Sequence, residues 1–286
     1  MTAEVKPGEL IRADAHVHFY RCFSEEIFFD AAFRNLCGPP GEQSAQGILF
    51  LAESHGNAWF DSLLARQASG QVCDLYELHR VETNLLSLSR VLDGASLHIV
   101  NGRQIISDEG LEVLALGFPD KLPDNLPIIE ILRRIECFGA LPVLPWGVGK
   151  WRGERRAALQ RLLADPPVEL ALGDIAARTQ SLRDPEPFLA ARARGLVVLP
   201  GTDLLPFRWN QSGVGSFGFS WRVECGMDLT VANLLKCITQ SQSAIDLHGS
   251  REFMPRMLMN QFAIHFQKQV VRRIWGASGR LDRSKT

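Results

Sequence analysis

The sequence predicts an α/β domain whose strands close, or nearly close, into a barrel carrying an inserted β-rich segment and C-terminal helices. Three observations lead there. From residue 126 onward, apolar segments of strand length alternate with helical stretches, the pattern of right-handed βαβ units on a parallel sheet. Asp14, His16, His18, Glu53, His55, Trp146, Asp174 and Asp203 all fall at or just past the ends of expected strands, where α/β barrels build their sites. The 286 residues, 46% of them apolar, suffice for one sizeable core, so the whole chain 1–286 reads as a single domain.

Residues 11–19 read as the first strand, and a helix over 24–36 opens at Ser24 with Glu25 and Glu26 in its first turn. Gly38-Pro39-Pro40-Gly41 ends it. An apolar strand over 47–52 and a helix over 57–68 precede a region, 72–116, whose β-branched and alternating apolar residues read as several strands. Helices over 128–138, 154–164 and 187–194 then alternate with strands over 140–145, 168–173 and 196–200. The Gly-, Ser- and aromatic-rich stretch 211–226 reads as a lid-like loop, followed by helices over about 229–241 and 254–275 and a disordered tail, 276–286. The apolar face of the last helix packs either on the barrel or on another subunit or protein partner.

A net charge of −1 gives no bias toward nucleic acid or an anionic membrane, and no apolar run reaches membrane-spanning length; neither partner is expected. The N-terminus lacks a basic segment followed by an apolar one, which points to a cytoplasmic protein. Six cysteines, with no C-x-x-C pairing, read as reduced thiols rather than a zinc ribbon or a disulfide framework.

Asp14-Ala15-His16-Val17-His18 is the most specific chemical signal. Side chains alternate along a strand, so His16 and His18 share a face and can reach one metal ion; otherwise they are ordinary strand residues. Glu53 and His55 have the same spacing and either share that site or cap a loop. Gly147-Val148-Gly149-Lys150-Trp151-Arg152-Gly153, between a strand and a helix, is either an anion clamp using Lys150 and Arg152 or a turn covered by Trp146 and Trp151. Asp174 and Arg178 form either a site ion pair or an i,i+4 helix pair. His79, His98, His248 and His265 have no companions at ligand spacing and read as surface or packing residues.

Taken in order, these motifs resemble the PHP (polymerase and histidinol phosphatase) family over residues 11–206. Asp14-Ala15-His16-Val17-His18 matches its first motif, Glu53-Ser54-His55 lies where the family has T-D-H, and Gly102-Arg103-Gln104 with Glu112 to Gly117 resembles its G-x-E strand and the one after. Gly201-Thr202-Asp203 matches G-S-D. The resemblance implies a distorted, TIM-barrel-like (β/α)7 barrel that holds metal ions and hydrolyses phosphoesters. Gln104, Trp146 and Leu205 stand where the family has ligands, which reduces the implied centre to one divalent ion, zinc, manganese or iron, held by His16, His18, Asp203 and Gln104 or a water. Asp14, Glu53 and His55 would then orient water or move protons, and Lys150, Arg152, Arg178 and Trp146 would contact a small anionic substrate. The same three departures support an alternative, a catalytically degenerate barrel that binds a ligand or partner protein. An amidohydrolase-type C–N hydrolase ranks behind both, because the histidines that it needs on middle strands are missing.

Overall fold

The computed structural model describes residues 4–42, 45–69, 74–240, 245–264 and 266. In chain order the first part contains β1 (Glu4–Val5), β2 (Leu10–Val17), α1 (Glu25–Ala32) running into a π-helical turn (Phe33–Cys37), β3 (Gln46–Leu51) and α2 (Trp59–Ala68). The expected β-rich region holds β4 (Tyr76–Glu82), β5 (Leu85–Arg90), β6 (Ser96–Val100), β7 (Gly102–Ile106) and β8 (Glu112–Leu116). Then come α3 (Ile128–Cys137), β9 (Leu141–Pro145), α4 (Glu154–Ala164), β10 (Ala171–Ile175), α5 (Glu186–Ala193) and β11 (Val198–Gly201). A 3-10 helix (Arg208–Gly213), β12 (Phe217–Arg222), β13 (Met227–Asp228), α6 (Val231–Gln240), β14 (Asp246–Gly249) and a helix over 254–264, α7, complete the chain. The tail 276–286, residues 267–275 of the last expected helix, His265 and Cys73 lie outside the described residues.

The described strands do not form the closed barrel that the sequence predicts. They form a seven-stranded sheet in the order β14-β12-β2-β3-β6-β5-β4, a five-stranded sheet β11-β10-β9-β8-β7 and a β1-β13 pair. The expected parallel register holds for β2 with β3, β3 with β6, β9 with β10 and β10 with β11, whereas β4-β5-β6 and β7-β8-β9 are antiparallel. The sheets pack face to face over a core that includes Ile48, Phe50, Leu114, Val143, Leu199 and Phe219, with Leu234 and Ile238 of α6 against it. Helices α1 and α2 cover the outer face of the larger sheet, and α3 to α5 that of the smaller. Strands buried on both faces read as unbroken apolar runs, which is why 47–52 and 140–145 are legible as strands.

Two seams join the sheets near the ends of β3 and β11. Past β3, Glu53 bridges Arg103 of β7 in parallel register, with Glu53 N donating to Gly102 O and Gln104 N to Glu53 O. Past β11, Asp203 N donates to His16 O at 2.9 Å.

The expected lid is also corrected, because residues 217–222 form β12, which lies in the larger sheet between β14 and β2 and antiparallel to both. Phe217, Phe219 and Trp221 alternate inward and are buried, each contributing about 1.5–3 kcal/mol. Gly218 looks like a loop residue in sequence, but a Cβ there would lie 2.0 Å from the Ala13 carbonyl, so the close approach of β12 to β2 requires glycine. Among the described residues no helix is long and apolar enough to cross a membrane. Gly218→Ala is expected to destabilise the protein by at least about 2 kcal/mol, read as a lower Tm in thermal denaturation; an unchanged Tm would contradict this packing.

Candidate metal centre

Asp14, His16 and His18 lie at the end of β2 and just past it, at alternate positions, and all three are buried. The imidazoles converge with Nε2 to Nε2 at 3.0 Å, and each Nε2 lies 3.5 Å from Asp203 Oδ1. Among the described residues this trio is the group of His, Cys, Asp and Glu side chains whose ligand atoms converge, all within 4.8 Å of one another. Ligand atoms about 2.0–2.1 Å from a tetrahedral ion are separated by about 3.4 Å, so these side chains fit a divalent cation.

The fit extends to protonation. Burial lowers the His16 pKa to about 4, so its ring is the neutral form that ligation needs. Burial opposes ionisation of Asp203, but the imidazoles and Lys150 outweigh it and hold the carboxyl below its usual range. Gln104 of β7 stands beside His16, close enough to favour its ring proton, and neither Gln104 Oε1 nor His16 Nδ1 has another hydrogen-bond partner. An acceptor at that place can take the Nδ1 proton of His16 and so leave Nε2 as the ligating nitrogen, or serve as a fourth ligand itself.

Local backbone geometry sets the trio. Asp203 has a φ of 48°, a left-handed conformation uncommon outside glycine, and its amide is fixed to the His16 carbonyl. A Cβ on Gly201 would lie 2.4 Å from His16 N, so the end of β11 reaches β2 only with glycine there. Asp14 ties these segments together. Its Oδ1 accepts His16 N at 3.1 Å and Thr202 N at 2.9 Å, and its Oδ2 accepts Thr202 Oγ1 at 2.6 Å and Gly215 N at 3.0 Å. Burial pushes its pKa up to about 6 against these four bonds. Asp14 is therefore a clamp, with its acceptor positions already occupied, and not the water-orienting group expected from the sequence.

Other expected residues are placed differently. Glu53 accepts Phe60 N at the start of α2 and forms a buried ion pair with Arg103, so it is a joint between the sheets and not a free base. Arg178 gives its guanidinium to Asp174 at 2.6 and 2.7 Å, to Asp184 at 2.9 Å and to Leu182 O at 3.2 Å, so four of its five N–H donors are held within the protein and its charge is balanced there. Asp174 also pairs with Arg251, which holds the segment leading into α7. His55 lies on an exposed turn beyond β3, beside a cavity that Gln104 also lines. Trp146 packs against the apolar cluster under α3 to α5, and Arg152 is exposed. His98 and His248 bond to Gln46 and Asn35 O, and His79 pairs with Glu77 at the surface.

Lys150 is near the trio, since its charge acts on both His16 and Asp203. Its stem folds over Gly147, where a Cβ would lie 2.4 Å from Cδ, and its ammonium pairs with Glu112 at the start of β8. Tyr20 continues the alternation of His16 and His18, with its ring centroid 5.6 Å from that of His18. Burial and the nearby Asp203 raise its pKa, so its hydroxyl keeps its proton. Glu112 and Tyr20 are the site residues that sequence reasoning missed; for Tyr20 the i, i+2 spacing carried the signal.

Comparison with solved structures shows the fold. The chain superposes on PsfC from Pseudomonas syringae PB-5123 with a TM-score of 0.57 and 15% identity, covering 91% of this chain and 99% of that one. A lesion-specific endonuclease, PfuEndoQ from Pyrococcus furiosus, gives a TM-score of 0.51 and 12% identity over 83% of this chain and 57% of its own. Neither the protein-family models nor the curated proteins contain a match to the sequence. The chain therefore shares its overall fold with these two structures. The likeness also corrects one expectation. A nuclease is built on this fold, so a net charge near zero does not exclude nucleic acid as a partner.

Asp14→Asn is expected to cost about 2–4 kcal/mol, because an amide oxygen can serve only one pair of the four donors and its NH2 opposes the other. Asp203→Asn, which removes a carboxylate favoured by the imidazoles and Lys150 but orphans no buried backbone donors, is expected to cost less than Asp14→Asn. Denaturant unfolding of the two variants checks the contrast, and equal losses would contradict the division of roles.

Proposed function

We propose that this protein is a metal-dependent hydrolase of PHP type that cleaves a phosphoester with a single divalent cation held by His16, His18 and Asp203. The observation that supports this reading most is the convergence of His16 Nε2, His18 Nε2 and Asp203 Oδ1, two imidazole nitrogens and one carboxylate oxygen at 3.0 and 3.5 Å separations. A cation bound there would lower the pKa of a coordinated water and neutralise charge on the phosphoryl oxygens.

The chain's own groups fit the remaining tasks. Gln104 Oε1, beside His16, is an acceptor for the His16 ring proton or for the attacking water, or a fourth ligand. Lys150, held by Glu112, keeps a positive charge beside the trio for the substrate's phosphoryl oxygens. Tyr20 retains its proton and can donate it in a hydrogen bond to the same oxygens. Asp14 and Thr202 fix the angle between the β2 and β11 ends, on which the ligand spacing depends.

Metal analysis after incubation with zinc, manganese or iron(II) and dialysis is expected to find one ion per chain. The His16→Ala/Asp203→Ala double variant is expected to bind it more than about 100-fold more weakly and to lose hydrolysis of p-nitrophenyl phosphate and bis(p-nitrophenyl) phosphate. No specific metal in the wild type, or hydrolysis that persists in the double variant, would overturn the proposal.

A further inference from the structure

Helix α7 meets the rest of the protein through its polar side. Asn260 is 2% exposed; it accepts Trp209 Nε1 at 3.2 Å and Asn210 Nδ2 at 3.3 Å and donates to the Glu252 carboxylate. Arg256 donates to the Trp209 carbonyl and to Asn210 Oδ1, both at 3.4 Å. The opposite side is apolar and faces water. At about 100° per residue, Met254, Pro255, Leu258, Met259, Phe262 and Phe266 fall within one arc of about 140°, and all six are exposed. Phe262 and Phe266, at 74% and 70% exposure, alone leave roughly 300 Å² of apolar surface in water, the size at which a patch marks an interaction site. Hydrogen bonds dock this helix, so its apolar arc lies outside the core and is free for a partner.

The charges that follow α7 select the kind of partner. Residues 267–286 carry six Lys and Arg, among them Lys268, Arg272 and Arg273, and one acid, Asp282, so the 266 residues before them carry a net charge of −6. The overall charge of −1 thus conceals a segregation, with cations gathered directly after the apolar arc. A second copy of the chain would cover the arc without neutralising the cations. A nucleic acid would neutralise the cations and leave the arc in water. An anionic lipid surface does both, because acyl chains take up the apolar side chains while the headgroups attract Lys and Arg.

We propose that α7 and the basic sequence after it form a docking element for an anionic lipid surface. Met254, Leu258, Phe262 and Phe266 enter the boundary between headgroups and acyl chains, and the cations stay at the headgroups. Such an element anchors the protein to one face of a bilayer without spanning it. It is independent of the hydrolase reading.

Co-sedimentation of the full chain with vesicles of phosphatidylcholine containing about one-third phosphatidylserine, and with vesicles of phosphatidylcholine alone, tests this. Wild type is expected to bind the mixed vesicles at least about tenfold more tightly, a preference that falls as salt is raised. Phe262→Ser/Phe266→Ser, at two exposed positions, is expected to weaken binding by at least about tenfold. Lys268→Gln/Arg272→Gln/Arg273→Gln is expected to lose the preference for the mixed vesicles, and Leu189→Ser, exposed on α5, to bind as wild type does. No binding to the mixed vesicles, or binding unchanged by Phe262→Ser/Phe266→Ser, would overturn the proposal. So would a wild-type dimer in light scattering that Phe262→Ser/Phe266→Ser abolishes, which gives the arc to a second copy, or a bound oligonucleotide that the mixed vesicles do not displace, which gives the cations to nucleic acid.

Discussion

The buried carboxylate of Asp14 is the contact on which the rest of the centre depends. Four donors converge on it, from β2 itself, from Thr202 beyond β11 and from Gly215 before β12. Three segments far apart in sequence are thereby held at one point without closing the sheets into a barrel. Burial disfavours the charge, and only a full set of hydrogen bonds makes such a group tolerable. The arrangement also fixes where Asp203 stands, because Thr202 precedes it and the Asp203 amide is held by the His16 carbonyl. Ligand spacing follows from a hydrogen-bonded scaffold rather than from the ligands themselves.

Buried ion pairs perform comparable joining elsewhere. Glu53 and Arg103 connect the end of β3 to β7, and Arg178, Asp174 and Arg251 connect the end of β10 to the segment before α7. Removing one member of such a pair leaves the other charge buried and alone, which makes these positions intolerant of substitution without giving them a part in chemistry. The charges that remain near the trio are fewer. Lys150, restrained by Glu112 and by its stem over Gly147, is the principal cation there.

Much of this was legible in the sequence where the signal was local. Alternation in Asp14-Ala15-His16-Val17-His18 places the histidines together, and helices α3, α4 and α5 stand within a residue or two of their expected bounds. The same spacing in Glu53-Ser54-His55 misleads, because β3 ends at Leu51 and His55 falls on an exposed turn. Strand direction was not legible. The alternation that implies parallel strands begins only at residue 126, and nothing in 72–116 shows that β8 runs antiparallel to β9 and brings Glu112 to the end where Lys150 lies. The alternation in Phe217-Gly218-Phe219-Ser220-Trp221 was hidden by its glycine, whose role depends on a carbonyl more than 200 residues earlier in the chain. Arg178 illustrates the general difficulty: an arginine near a strand end looks available in sequence, and only tertiary structure shows its charge taken up by two carboxylates.

The central claim is that one cation is held by two imidazoles and one carboxylate. X-ray absorption at the zinc edge of protein loaded with one equivalent of zinc addresses it most directly. The account predicts nitrogen and oxygen scatterers at about 2.0–2.1 Å with the outer-shell pattern of two imidazoles, lost in His16→Ala/Asp203→Ala. A sulfur shell at about 2.3 Å, or a spectrum unchanged by the double substitution, would place the metal elsewhere and contradict it.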